Sequence, residues 1–311
     1  MDKIVVLDFG SQYSHLICRR IRELNIYCEL VPYNTPAEKI KDLEPKGIIF
    51  SGGPASVYSK NSPKPDYEIF ELGVPILGIC YGHQIIVDHF NGKIKRVLNR
   101  EYGNALLTIM DKTNLFKDIG SSGLKCWMSH SDAAEVLPKG FEVLGKTSSS
   151  FSAAIGNNDK KIFGLQFHPE VAHTEKGDKV LFNFAYEISK ANPEWSMSNF
   201  IETSVNDIQK KVKNEKVLCA VSGGIDSTTC AILIHRAIKD NLTCVFVDNG
   251  LLRENERENV AEIFKEKLGI PLRIIDARER FLKGLGGLND PEQKEKSRRG
   301  ICKSIYRIRR K

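Results

Sequence analysis

Short, uninterrupted apolar runs mark the first part of the chain: Lys3 to Phe9, Ile26 to Val31, Gly47 to Phe50 and Val74 to Ile79. Runs of this length and character predict strands buried on both faces, as in a parallel sheet. Between the first two, Ser14 to Leu24 reads as a helix whose outer face is basic at Arg19, Arg20 and Arg22. Strands alternating with helices predict an α/β domain with helices on both faces of the sheet. In such sheets, functional residues gather at the carboxyl ends of the strands. Two sharp breaks fall at these ends, Ser51-Gly52-Gly53-Pro54 and Gly78-Ile79-Cys80-Tyr81-Gly82.

From about Gly92 the pattern turns to shorter strands and turns. Ala105 to Met110, Lys125 to Met128, Phe141 to Leu144 and Ser152 to Ile155 form a β-rich section. Lys161 to Phe167 is a further strand running into His168-Pro169-Glu170, and Lys179 to Ala191 reads as a closing helix. Residues 192–206 are polar around Trp195 and Phe200 and read as a connector. A second α/β pattern follows, with strands at Lys216 to Val221, Thr243 to Asp248 and Leu272 to Ile275. Helices are expected at Thr228 to Ala237 and around Glu254 to Leu268. The expected organisation is a first domain over 1–191, the connector 192–206, a second domain over 207–296, and a separate tail 297–311.

Composition adds a soluble, globular setting. Hydrophobic residues make up 41% and charged residues 27% of 311, ordinary values for a chain with two cores. No apolar run reaches membrane-spanning length. The start, Met1-Asp2-Lys3-Ile4-Val5-Val6, lacks the basic region and long apolar stretch of a signal peptide. Eight cysteines occur without a C-x-x-C pair, which fits reduced thiols in a cytoplasmic protein and neither a zinc site nor a redox motif. The net charge of +7 belongs to Ser297–Lys311, which holds seven basic residues and no acids and leaves the rest of the chain balanced. A basic tail can bind nucleic acid, but a nucleic-acid partner is not expected here, because a shift of reading frame accounts for the tail.

The candidate chemistry starts at Cys80. Gly78 and Gly82 flank it between an apolar strand and a helix carrying Ile85, Ile86 and Phe90. A turn this tight needs glycine, since a Cβ would strike the neighbouring element. It lifts the thiol from the sheet edge and sets it at a helix N-terminus, where partial positive charge favours thiolate. The Tyr81 N–H is a natural oxyanion donor, with Gly53 as the second. A cysteine nucleophile needs a base, and the base an orienting partner. His168 and Glu170 suit these roles, since residues i and i+2 of an extended segment share a side. Glu170 can then accept one imidazole N–H while the other nitrogen faces Cys80.

Three stretches, Ser51-Gly52-Gly53-Pro54, Gly78 to Gln84 and Gly164 to Glu170, resemble the class I, triad-type glutamine amidotransferases over about residues 3 to 190. The resemblance implies a flavodoxin-like domain in which Cys80 attacks the side-chain amide of glutamine, forming a glutamyl thioester and ammonia. It implies that Gln84 helps bind glutamine. It also implies that Trp127-Met128-Ser129-His130-Ser131-Asp132 holds the α-amino and carboxylate groups, with Ser131 and Asp132 as binding residues. Such enzymes usually carry glycine where this sequence has Ser131; a φ above zero there would strain Ser131 and weaken glutamine binding.

Ser222-Gly223-Gly224-Ile225-Asp226-Ser227 follows a strand and opens a helix, so its N–H groups and two hydroxyls can surround a phosphate. It lacks the Gly-Lys-Ser/Thr ending of a Walker A loop. The loop resembles the PP-loop of the ATP pyrophosphatases, with their adenine-nucleotide α-hydrolase-like parallel sheet. These enzymes split ATP between the α and β phosphates and adenylate an acceptor oxygen. The resemblance implies that Ser222, Gly223, Gly224, Ile225, Asp226, Ser227 and Asp248 bind ATP and pyrophosphate, with Asp226 near magnesium. ATP with magnesium is then a substrate complex, and no tightly bound cofactor is expected. Phe246-Val247-Asp248-Asn249-Gly250-Leu251-Leu252-Arg253 and Leu288 to Lys294 narrow the resemblance to the GMP synthetases. That family makes GMP from XMP, ATP and glutamine. A glutamine-fed NAD synthetase would need a nitrilase-type partner domain instead.

After Lys294 the resemblance stops and the composition becomes basic. A reading-frame shift is the expected cause: AGA arginine codons followed by a purine and read one base later become GAA or GAG, which encode glutamate. On that expectation the second domain is incomplete, the family's C-terminal dimerisation domain is absent, and the chain keeps glutaminase activity alone or none.

Overall fold

The computed structural model describes residues 1–59, 61–120 and 123–285, except for the side chains of 96–101, 131 and 285. The expected tail 297–311 and residues 286–296 of the expected second domain lie outside the described residues. The chain divides into two compact units after Ser196.

In the first unit the apolar runs become β1 (Lys3–Asp8), β2 (Tyr27–Pro32), β3 (Gly47–Phe50) and β4 (Ile76–Ile79). They are joined by α1 (Ser14–Glu23), α2 (Ala37–Asp42) and smaller turns, and β4 leads into α3 (Tyr81–His89). The β-rich section is β5 (Lys93–Ile109), β6 (Leu124–Val136), β7 (Glu142–Lys146), β8 (Ala154–Asn157) and β9 (Ile162–Leu165). The closing helix α4 (Gly177–Phe182) continues in wider π turns over Asn183–Ile188. All nine strands form one sheet in the order β2-β1-β3-β4-β9-β8-β7-β5-β6. The first five are mutually parallel, which is the flavodoxin-like order with β9 as its fifth strand. Antiparallel β8, β7, β5 and β6 extend it.

The alternation along β1 builds both cores. Ile4 and Val6 pack with Ile17, Ile21, Leu77 and Phe184 on one face. Val5 and Leu7 pack with Ile48, Phe50, Ile85 and Ile162 on the other. Burial on both faces explains why the strand runs are continuously apolar rather than alternating.

Two expectations change. The short strands foreseen at Ala105–Met110 and Lys125–Met128 belong to a ribbon of 17 and 13 residues, whose polar exposed positions hide its length in the sequence. The polar stretch read as a connector to residue 206 enters α5 (Met197–Val212). Its apolar stripe straddles the expected boundary: Val205, Ile208 and Val212 pack on the second unit's core.

That second unit continues with β10 (Val217–Val221), α6 (Ile225–Ile238), β11 (Leu242–Asp248), α7 (Glu256–Glu262), β12 (Leu272–Asp276) and α8 (Arg278–Leu285). The three strands form a parallel sheet around Val221, Ala231, Leu242, Phe246, Val260 and Phe264. Among the described residues no helix is long and apolar enough to cross a membrane.

Candidate active site

The turn after β4 is held by backbone on all sides. Cys80 has φ 51° and ψ −98°, a conformation that L-residues rarely adopt and that surrounding structure must enforce. Its N–H is bound to Leu165 O at 2.7 Å. A Cβ on Gly78 would lie 2.4 Å from the Gly82 carbonyl, and one on Gly82 would lie 2.4 Å from Phe50 O. Ser51 ties the neighbouring strand ends together: its N–H donates to Leu7 O, its carbonyl accepts from Gly82 N, and its Oγ accepts from Phe9 N. The Tyr81 N–H opens α3, where a helix offers no internal acceptor. His83 of the same motif is fully buried against Gly164, and burial pushes its value down to about 3. It is neutral and does not compete as a base.

His168 and Glu170 meet: Nδ1 and Oε1 are 2.8 Å apart, with Glu170 fully buried and His168 nearly so. The contact does not come from an extended strand, as the spacing suggests. β9 ends at Leu165, and the two residues lie in the turn that follows it. The turn is fastened at several points. His168 N donates to Trp127 O at 3.0 Å. Thr174 Oγ1 donates to His168 O at 2.6 Å and accepts from Trp127 N at 3.0 Å. Arg20 Nε donates to Glu170 O at 3.0 Å. Gly177 passes so close that a Cβ would lie 2.0 Å from Pro169 O. Burial opposes a charge on the His168 ring, but the Glu170 carboxylate and the adjacent Cys80 outweigh it, and the ring's value is raised well above normal. The arrangement favours an imidazolium next to the cysteine.

Cys80, His168, Gly53, Tyr81, Gln84 and Asp132 line one cavity of about 430 Å³, and Glu170 sits behind it. Gln84 is already engaged, since its Nε2 donates to Asp132 O at 2.9 Å. Asp132 is 5% exposed. Ser131 belongs to β6, and its side chain lies outside the described residues. The sequence reading missed Tyr13 and Tyr102, which share the cavity with Ser129 of the expected glutamine-binding stretch. Tyr13 stands edge-on to His168 at 5.3 Å between ring centroids, and Ser129 O is 3.5 Å from Cys80 Sγ. The break Gly10-Ser11-Gln12 at the end of β1 could have flagged Tyr13. Tyr102 carries no local signal, because only the ribbon's register brings it opposite Ser129.

In the second unit, Ser222 to Ser227 join β10 to α6 at the carboxyl edge of the sheet. Ser227 Oγ accepts from Ser222 N and donates to Gly224 O, both at 3.1 Å, and it lies 3.1 Å from Ser222 Oγ. Gly223 has φ +79°, and a Cβ there would lie 2.5 Å from Val260. Asp226 is exposed in the first turn of α6. Asp248, at the end of β11, is 5% exposed and faces Arg257 at 3.4 Å and Arg278 at 3.8 Å. The loop and Asp248 therefore share the carboxyl edge, but Asp248 is occupied by guanidinium groups.

The parallel sheet, the strained cysteine at its edge and the buried His–Glu pair define an α/β protein equipped for acyl transfer through a cysteine. A family model described as glutamine amidotransferase class-I matches residues 5–188; the chain belongs to that family. A second model, described as NAD synthase, matches residues 196–309, in keeping with the PP-loop type of the second unit. The chain is 51% identical over 293 residues to a protein of Caldicellulosiruptor saccharolyticus named GMP synthase [glutamine-hydrolyzing], covering 94% of this chain and 57% of that one. It is 50% identical over 295 residues to the protein of that name from Carboxydothermus hydrogenoformans, covering 95% and 58%. It thus spans a little over half the length of these relatives. The crystal structure of a candidate GMP synthase component from Thermoplasma acidophilum is 27% identical, with a TM-score of 0.56, covering 68% of this chain and 98% of that one.

Proposed function

We propose that the first unit releases ammonia from glutamine at Cys80, and that the second serves the ATP-dependent amination of XMP to GMP. The observation that carries the first part is the 2.8 Å His168–Glu170 contact behind a cysteine held at φ 51°. Cys80 Sγ attacks the amide carbon of glutamine. The oxyanion is met by the N–H groups of Gly53 and Tyr81. The proton held on His168 passes to the leaving nitrogen, and ammonia departs from a glutamyl thioester. Water, activated by the now neutral His168, hydrolyses the thioester to glutamate and frees Cys80. Gln84 helps bind glutamine, and Ser131 and Asp132 hold its α-amino and carboxylate groups.

The reading of the second unit rests on the relatives' names and on the loop. Ser222 to Ser227 take the pyrophosphate of ATP, which arrives as its magnesium complex with Asp226 beside the ion, while Asp248, an acceptor only, meets a donor group of the nucleotide or the cation. Asp248 must then exchange its arginine partners for the substrate. Ammonia attacks the carbon of XMP activated by adenylation. A cytoplasmic setting and pairing of protomers through further sequence belong to the same reading.

The test supplies XMP and ATP with magnesium and either glutamine or ammonium. GMP from both, with Cys80→Ala losing only the glutamine-dependent part, would support both halves of the reading and overturn the expectation of glutaminase activity alone. Glutamate release without GMP would reduce the reading to a glutaminase. GMP from ammonium alone would overturn the role of Cys80.

A further inference from the structure

Gln166 is fully buried and stands directly beside the nucleophile, yet the steps of glutamine hydrolysis leave it without a role. Its position is fixed by the backbone. Its own N–H is bound to Ala153 O at 2.8 Å, and the carbonyl just before it, Leu165 O, takes the N–H of Cys80 at 2.7 Å. The amide Nε2 reaches to 3.9 Å from Cys80 Sγ, while Oε1 has no hydrogen-bond partner.

A carboxamide is a poor choice for filling this space. Burying an acceptor with no partner is unfavourable, and an apolar side chain of the same shape would avoid that penalty. The one polar contact the side chain makes is with the atom that has to carry negative charge. We propose that Gln166 is a thiolate-stabilising residue, its amide N–H donating to Cys80 Sγ as charge builds on sulfur. The inference rests on reading Cys80 as the nucleophile. It gives the cysteine a neutral donor in addition to His168 and the N-terminus of α3. The neutral donor transfers no proton, so its help does not depend on the charge state of His168. The contact tightens toward the thiolate and relaxes once sulfur is acylated.

The test is alkylation of Cys80 by iodoacetamide in the full chain without glutamine, followed by peptide mass from roughly pH 5 to 9. Gln166→Met should lower the rate near pH 6 by about five- to tenfold, with the rate at high pH close to the parent's. Its melting temperature should be unchanged or higher. Gln166→Glu, which brings a carboxyl group to the sulfur, should displace the profile further in the same direction. If Gln166→Met does not fold, Gln166→Asn serves the same comparison, since it withdraws the donor while keeping the amide. A Gln166→Met profile that matches the parent's, with a lower melting temperature, would make the residue a filler and overturn the proposal. A displacement to lower pH would also overturn it, because the amide oxygen would then be facing the sulfur. The profile needs no glutamine, so a failure of the glutaminase reading shows separately, as absent glutamate release by the parent chain.

Discussion

Each unit places its candidate chemistry on a strand–turn–helix junction at the carboxyl edge of a parallel sheet, and the two junctions are built in opposite ways. Between β4 and α3, Cys80 is 5% exposed, its backbone is strained, and both flanking glycines are pressed against main chain. Between β10 and α6, the residues from Ser222 to Asp226 are exposed, and a Cβ on Gly224 would meet only Ser222 Oγ at 3.5 Å. Serine hydroxyls hold that loop instead of backbone. A nucleophile, the role proposed for Cys80, has to approach a carbon along one trajectory, and a rigid turn suits that role. A phosphate-type loop offers several N–H groups to a large anion, and surface access counts for more there than rigidity.

The largest difference should come from adding one methyl group to each junction. Gly82→Ala drives a Cβ into Phe50 O at 2.4 Å, where neither backbone can yield. We expect a loss of about 3 kcal/mol or more in urea unfolding. Trp127 and Trp195, the chain's two tryptophans, both precede Ser196, so fluorescence reads the first unit selectively. Gly224→Ala should cost no more than about 1 kcal/mol by circular dichroism. Equal losses would break the comparison.

The buried ion pairs sharpen it through pH. His168 has a folded value raised above its unfolded value of about 6.5. Its stabilisation is therefore complete below that pH and fades as pH rises through the folded value. Glu170→Gln should cost about 3 kcal/mol near pH 6 and progressively less at higher pH. Asp248 is paired with arginines that stay charged throughout, so Asp248→Asn should lose the same amount across that range. Melts of both variants at several pH values decide the matter, and a pH-independent loss in Glu170→Gln would mean that its carboxylate does not hold a charged ring.

The sequence revealed each junction because each is local. Gly78, Cys80 and Gly82 declare a tight turn by their spacing, and Ser222 to Ser227 declare a phosphate-type loop by composition. The parallel core was equally legible, since strands such as Gly47–Phe50 are apolar at every position. What could not be read is whatever depends on distant registers. Tyr102 reaches the cavity through a ribbon whose exposed face is mixed, Arg20 reaches Glu170 across 150 residues, and Gln166 becomes notable only when its amide is found beside Cys80. The expected connector 192–206 contains the cut after Ser196 but hid the start of α5 for a related reason: the stripe Val205, Ile208 and Val212 has no meaning until the core it covers is known.

The smallest effect separates positioning from latching. Arg20 and Ser227 each hold a carbonyl near a junction, Arg20 beside an exposed pair with Glu23 and Ser227 beside its contacts with Ser222. Arg20 Nε holds Glu170 O at 3.0 Å, and Ser227 Oγ holds Gly224 O at 3.1 Å. Arg20→Met keeps the apolar stem and removes the donor, so its cost in stability should be about 1 kcal/mol. Its effect on chemistry should be larger in proportion, because the released carbonyl belongs to the residue that orients His168. We expect glutamine turnover to fall about three- to tenfold at unchanged KM. Ser227→Ala should change stability by about 0.5 kcal/mol or less, its neighbours being exposed to water, and should leave glutaminase turnover untouched. If Arg20→Met instead raised KM at constant turnover, the bond would serve the shape of the cavity rather than the carboxylate. The first junction's rigidity would then end at Gly177 and Thr174.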